Sequence, residues 1–190
     1  STSSDLIIIR KNNTVENVFA VTNGVFNHNN GHVRIDCTTS VGASVARWNV
    51  VTLVPTSFND LTYAGGNALS TYYSGFNTIN EGDTNLVVMG DFTIEANGNL
   101  VVNEGTIEIK GNFSQYNISK GFRSGTTRLL FSGDKDQTCT VPEGNNMPAI
   151  AVAKKGGTLS TGDMTDLNGS AIVIDGAVAV GPGADGGTTK

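Results

Sequence analysis

The sequence predicts an all-β chain wound as a short parallel β-helix, a β-solenoid with about two degenerate repeats and one loop insertion. Three observations carry this. The chain echoes itself, for Phe26-Asn27-His28-Asn29-Asn30-Gly31-His32-Val33-Arg34-Ile35 returns as Phe122-Arg123-Ser124-Gly125-Thr126-Thr127-Arg128-Leu129-Leu130-Phe131. Leu86 to Thr93 likewise returns as Thr158 to Thr165. Weak self-similarity of this kind is what stacked strand-turn coils leave in a sequence. The apolar strings are also short and closely spaced, and Gly, Asn and Asp punctuate them, residues that accept left-handed backbone at corners. Finally, charged residues make up only 15% and 24 positions are Gly, a composition poor in helix formers.

Taken in order, Asp5 to Arg10 is a β-branched run and predicts a strand. Arg10 to Asn17 holds a short turn or cap, and Val15 to Val25 reads as a strand pair. Val33 and Ile35 then alternate with Arg34 and Asp36, the pattern of a half-buried strand. Trp48 to Val54 and Asp60 to Tyr63 are further strands. From residue 64 to 81 the chain turns small, polar and aromatic, a segment that the second copy lacks. It is read as a loop insertion on one coil, and such insertions often form the binding face.

The region from Thr84 to Phe113 is the most regular. Its apolar triplets recur every six to eight residues, too close for a sandwich, whose turns come about every 8–12 residues. They suit the flat faces of a parallel β-helix, with inward side chains stacked in files. Ala171 to Val180 repeats the design. Residues 1–183 are thus read as one solenoid domain and 184–190 as a flexible tail.

One resemblance follows from particular strings. Residues 24–36, then Ser57 to Tyr63, then Gly90-Asp91-Phe92-Thr93-Ile94, Gly98 to Val102 and Lys110-Gly111-Asn112-Phe113 occur in an order similar to the repeats of large secreted surface and adhesin-like proteins of Bacteroidetes-like bacteria. The resemblance covers most of residues 20–180. It implies right-handed coils and an extracellular or cell-surface location. It carries no catalytic motif.

Composition excludes some classes. A net charge of −5 with no basic run argues against nucleic acid as a partner. No stretch of about 18 apolar residues occurs to span a membrane as a helix. No Gly-x-Ser-x-Gly elbow or phosphate loop appears, and the chain is expected not to be an enzyme and to need no cofactor. His28 and His32 lie in a strand-turn segment without a third ligand and read as surface residues. The carboxylates Asp83, Asp91, Glu95, Glu104 and Glu108 read as a solvated face.

Three sets of residues remain as site candidates. Trp48, Tyr72, Tyr73 and Phe76 are the candidate contact surface for a sugar or protein, because aromatic faces stack on sugar rings. The plainer reading is that Trp48 and Phe76 plug the insertion onto the coils. Asp163, Asp166 and Asn168 precede a turn Gly and faintly resemble a calcium loop, although the closing Glu is missing and solenoid corners have the same composition. Cys37 and Cys139 form either a disulfide or two small buried apolar residues. The expected role is a non-catalytic stalk or fibre module whose partners are surface glycans, neighbouring protein modules or further copies of itself. A carbohydrate-binding or carbohydrate-active β-helix is the alternative. Strand donation by Leu6 to Ile9 to another copy is a third reading.

Overall fold

The computed structural model of the chain describes residues 5–9, 16–36, 45–52, 54–64, 73–80, 86–95, 99–100, 106–116, 128–141, 149–161 and 172–174. Every regular element among them is a strand. In the first part these are β1 (Leu6–Ile9), β2 (Glu16–Val21), β3 (His32–Asp36), β4 (Val45–Thr52), β5 (Thr56–Phe58) and β6 (Asp60–Ala64). β7 (Tyr73–Asn80), β8 (Leu86–Val88), β9 (Phe92–Ile94), β10 (Asn99–Leu100), β11 (Thr106–Ile109) and β12 (Phe113–Gln115) follow. The last are β13 (Arg128–Phe131), β14 (Gln137–Thr140), β15 (Ala149–Val152), β16 (Leu159–Thr161) and β17 (Ile172–Ile174).

The strands form three sheets. The first has the order β1-β3-β6-β9-β12-β14-β16, the second β10-β7-β4-β2 and the third β17-β15-β13-β11-β8-β5. Every pairing is parallel, and the chain visits the sheets in cyclic order from β4 through β11. That arrangement is compatible with the expected parallel β-helix. Register partners on neighbouring strands lie 21 to 32 residues apart, as in Phe92↔Phe113, Leu61↔Phe92 and Glu16↔Trp48.

Alternation decides what faces inward. Along β8, β9 and β12 the outer two residues are buried and the middle one is half-buried. Register then stacks the buried positions into files. Val33, Leu61, Phe92, Phe113 and Cys139 make one file of the first sheet, and Phe58, Val88, Ile109, Phe131 and Val152 make one of the third. Burying each Leu, Ile or Phe contributes about 1.5–3 kcal/mol, so these files supply most of the driving force. At the N-terminal end Phe19, Phe26 and Phe58 close the core as a ring cluster, with Phe19 and Phe26 edge to face at 4.9 Å.

The structure departs from the sequence expectations in three ways. The echoed segments are not equivalent, because β3 lies in the first sheet and β13 in the third, while β8 lies in the third and β16 in the first. The true period is the single turn of the winding. Each face uses the same recipe, a Gly/Asx corner followed by alternating apolar residues, so self-similarity cannot tell one face from another. Second, residues 73–80 of the expected insertion are β7, paired along its whole length with β4 and also with β10; residues 65–72 lie outside the described residues. Third, residues 15–25 give one strand, β2, followed by bends, where a pair was expected. β1, offered by the sequence for donation, pairs with β3 of its own chain.

Candidate functional site

The most distinctive construction lies where the chain passes from the third sheet into the first. The residue just before a first-sheet strand, or in β6 its first residue, is repeatedly Asp or Asn, and its side chain reaches the main chain of the next turn. Asp5 Oδ1 accepts from the His32 N–H at 3.1 Å, Asp60 Oδ1 from Asp91 at 2.8 Å, and Asp91 Oδ1 from Asn112 at 2.7 Å. Asn112 Oδ1 accepts from Thr138 at 2.9 Å and Asp136 Oδ1 from Thr158 at 2.8 Å. Only the step from His32 to Asp60 departs, since the His32 imidazole instead meets Thr62 Oγ1 at 2.8 Å. Asx side chains readily take up such local backbone N–H groups. The corner is also tight. A Cβ on Gly111 would collide with the carbonyl of Gly90, so only Gly lets these turns approach.

Farther along the same edge a lysine is built into the corner. Lys154 Nζ donates to the carbonyls of Gly133 at 2.6 Å and Lys135 at 2.8 Å and to Gln137 Oε1 at 2.7 Å. The buried Gln137 amide also accepts from the Gly133 N–H and donates to the carbonyls of Ile109 and Gly111. Loss of water around Lys154 pushes its ammonium below the usual lysine range, against the attraction of Asp136 and Asp134. Asp136 is held below the usual carboxylate range by the Thr158 N–H, then by the Thr158 hydroxyl, with Lys154 adding to both. With its three hydrogens engaged, this lysine acts as a clamp between turns.

The outer face of the first sheet is polar. Thr62, Thr93, Ser114 and Thr140 share one register file. Across it Arg34 makes a two-pronged ion pair with Glu95, Nη2 to Oε2 at 2.8 Å, reaching past the intervening β6. This face carries a guanidinium, a carboxylate, an imidazole and hydroxyls.

The expected site residues are placed as follows. Trp48 and Phe76 hold one register position on β4 and β7, so the second sheet brings these two together. Tyr73 pairs with Val45, three residues before Phe76 and Trp48 on their strands. Tyr72 and the calcium candidates Asp163, Asp166 and Asn168 lie outside the described residues. Cys139 is a free, buried thiol, and Cys37 lies outside the described residues.

Of the five carboxylates, Asp83 and Glu104 lie outside the described residues, and the other three do not converge. Asp91 sits at the corner, Glu95 beyond the far end of β9 and Glu108 at the outward position of β11, where it accepts from the Ser132 hydroxyl. Among the described residues no group of three His, Cys, Asp or Glu is placed to hold a metal, and no helix is long and apolar enough to cross a membrane. Sequence reasoning missed the Asx corner file and the lysine clamp. The first had a signal, an Asp or Asn directly ahead of an apolar strand at 91, 112 and 136 and at the first position of one at 60. The second had none, since Lys154 meets its partners 17 to 21 residues away.

No protein-family model, curated protein or solved structure matches this chain.

Proposed function

We propose that the chain is a short right-handed parallel β-helix serving as a non-catalytic extracellular structural or adhesion module, a stalk or fibre component of a bacterial surface protein. The observation that carries this reading is the corner file, where the side chain of one turn binds the main chain of the next at five of six steps along the first sheet. Such bonds add to the sheet ladders and tie each turn to its neighbour, which is what a load-bearing spacer needs. Parallel crossovers are right-handed in about 98% of cases, which supports the handedness. The Gly, Asn and Thr-rich, charge-poor composition supports the surface location.

The test is mechanical. Seven first-sheet strands spaced at ~4.8 Å, stacked copy on copy, give an axial rise of about 34 Å per module. One, two and three tandem copies between a surface anchor and an epitope should lift the epitope by that increment, and small-angle scattering should show a rod of matching length. A reach that does not grow with copy number would remove the stalk reading.

A second reading, carbohydrate recognition, is favoured by the shared register of Trp48 and Phe76. A glycan array comparing wild type with Trp48→Ala tests it. Binding by neither protein ends it, and so does equal binding by both.

A further inference from the structure

The turn that leads into β3 is held in an unusual way. Asn29 and Asn30 are consecutive non-glycine residues at positive φ, 48° and 57°. Two side chains from the preceding residues support them. Asn27 Oδ1 accepts from the Asn29 N–H at 3.1 Å, and His28 Nδ1 accepts from the Asn30 N–H at 3.0 Å. The Gly31 N–H then closes on the His28 carbonyl at 2.7 Å, and Asn59 Nδ2 donates to the Asn30 carbonyl at 3.2 Å. Asn27 and His28 thus play one role, but they differ in one respect. An amide oxygen accepts at any pH, whereas an imidazole Nδ1 accepts only when neutral and carries a hydrogen once protonated.

We propose that His28 is a proton-operated latch on the N-terminal cap of the core. Protonation turns Nδ1 from acceptor to donor and sets it against the Asn30 N–H, and the left-handed pair loses the bond that favours it. Phe26, two residues before His28, packs on Phe19 and Phe58 at ring distances of 4.9 and 5.4 Å. Release of the turn therefore loosens the aromatic lid and uncovers Phe58, the first residue of a third-sheet core file.

Among the described residues, the charged and titratable groups packed around this turn are Asp5 ahead of β1, His32 on β3 and Asp60 on β6. Asp5 Oδ1 is engaged by the His32 N–H, and the two Asp60 oxygens by Asp91 and Asn59. His32 binds Thr62 Oγ1, and a hydroxyl serves either imidazole charge state, so His32 has no equivalent reason to act as a latch.

The test is amide exchange by NMR on the whole chain between pH 5 and 7.5, corrected for the intrinsic pH dependence of exchange. Protection of Asn30 and Gly31 should fall at least tenfold on acidification, together with the ring contacts between Phe26 and Phe58. In His28→Asn, whose side-chain oxygen accepts at both pH values, protection should stay level, while His32→Gln should behave as wild type. Level protection in wild type overturns the proposal, and so does a pH response that persists in His28→Asn. A turn that opens while the Phe26 contacts survive overturns the link to the lid.

Discussion

Asp91 and Asn112 are bonded twice across successive turns, because Asp91 Oδ1 accepts from the backbone N–H of Asn112 at 2.7 Å and from its side-chain amide at 3.1 Å. Asn112 passes the contact on, its own oxygen taking the N–H of Thr138. Hydrogen bonds to charged groups contribute about 1.5–3 kcal/mol, and less where water competes. Asp91 is exposed, so Asp91→Ala should cost about 1–2 kcal/mol in urea unfolding at unchanged m-value. Asp91→Asn, which keeps the acceptor, should cost less than half of that. Equal losses for the two variants would show that the corner bond is not what holds Asn112.

The pair Arg34–Glu95 gives a second measurement. It is partly exposed, and pairs of this kind contribute about 0.2–1 kcal/mol. Its two-pronged geometry places it toward the upper part of that range. A double-mutant cycle with Arg34→Met and Glu95→Gln should return a coupling of about 0.5–1 kcal/mol that shrinks in 1 M salt, where the screening length is ~3 Å. A coupling that salt leaves unchanged would mean that the two residues interact through packing.

How much of this was legible in the sequence follows from what each feature depends on. Strand identity depends on alternation over three to five residues, and Val33, Ile35, Leu86, Val88, Phe92 and Ile94 announce it directly. Assigning a strand to a sheet depends on counting faces per turn, and nothing local to Arg128–Phe131 or His32–Asp36 distinguishes the third sheet from the first. The same ambiguity hid β7, since Tyr73-Ser74-Gly75-Phe76 reads as loop until its register against Val45 to Thr52 is known. The corner carboxylates were visible as residue types but not as bonds, because their partners lie 21 to 31 residues away. Arg34 and Glu95 are 61 residues apart and meet only because two turns of the winding bring them level.

Gly111 should tolerate no side chain. A Cβ there would strike the Gly90 backbone, a rigid neighbour that cannot move aside as the end of a flexible chain would. Overpacking of this kind costs about 1–3 kcal/mol. Gly111→Ala should lie in that range by chemical denaturation, whereas Lys110→Ala, one residue earlier and exposed, should stay within about 0.5 kcal/mol. Near-equal effects at both positions would contradict the close approach of the two turns.

Cys139 links burial to pH. Loss of water pushes its thiol from the ordinary 9.0 up to about 12, because the thiolate cannot be solvated between the Phe113 and Thr161 rungs. In the unfolded chain the thiol ionises near its ordinary value. Above that value the unfolded state therefore binds fewer protons than the folded one, and stability falls as pH rises. The contribution is complete below pH 9 and declines by about 1.4 kcal/mol per unit between pH 9 and 12. Lysines and tyrosines titrate in the same window, so the informative quantity is the difference between wild type and Cys139→Ala. Wild type should lose stability with the steeper slope above pH 9. A thiol reagent at pH 8, its sites located by peptide mapping, should leave Cys139 unmodified in the native protein and modify it in denaturant. Parallel stability curves for the two proteins above pH 9 would show that the thiol reaches solvent in the native state.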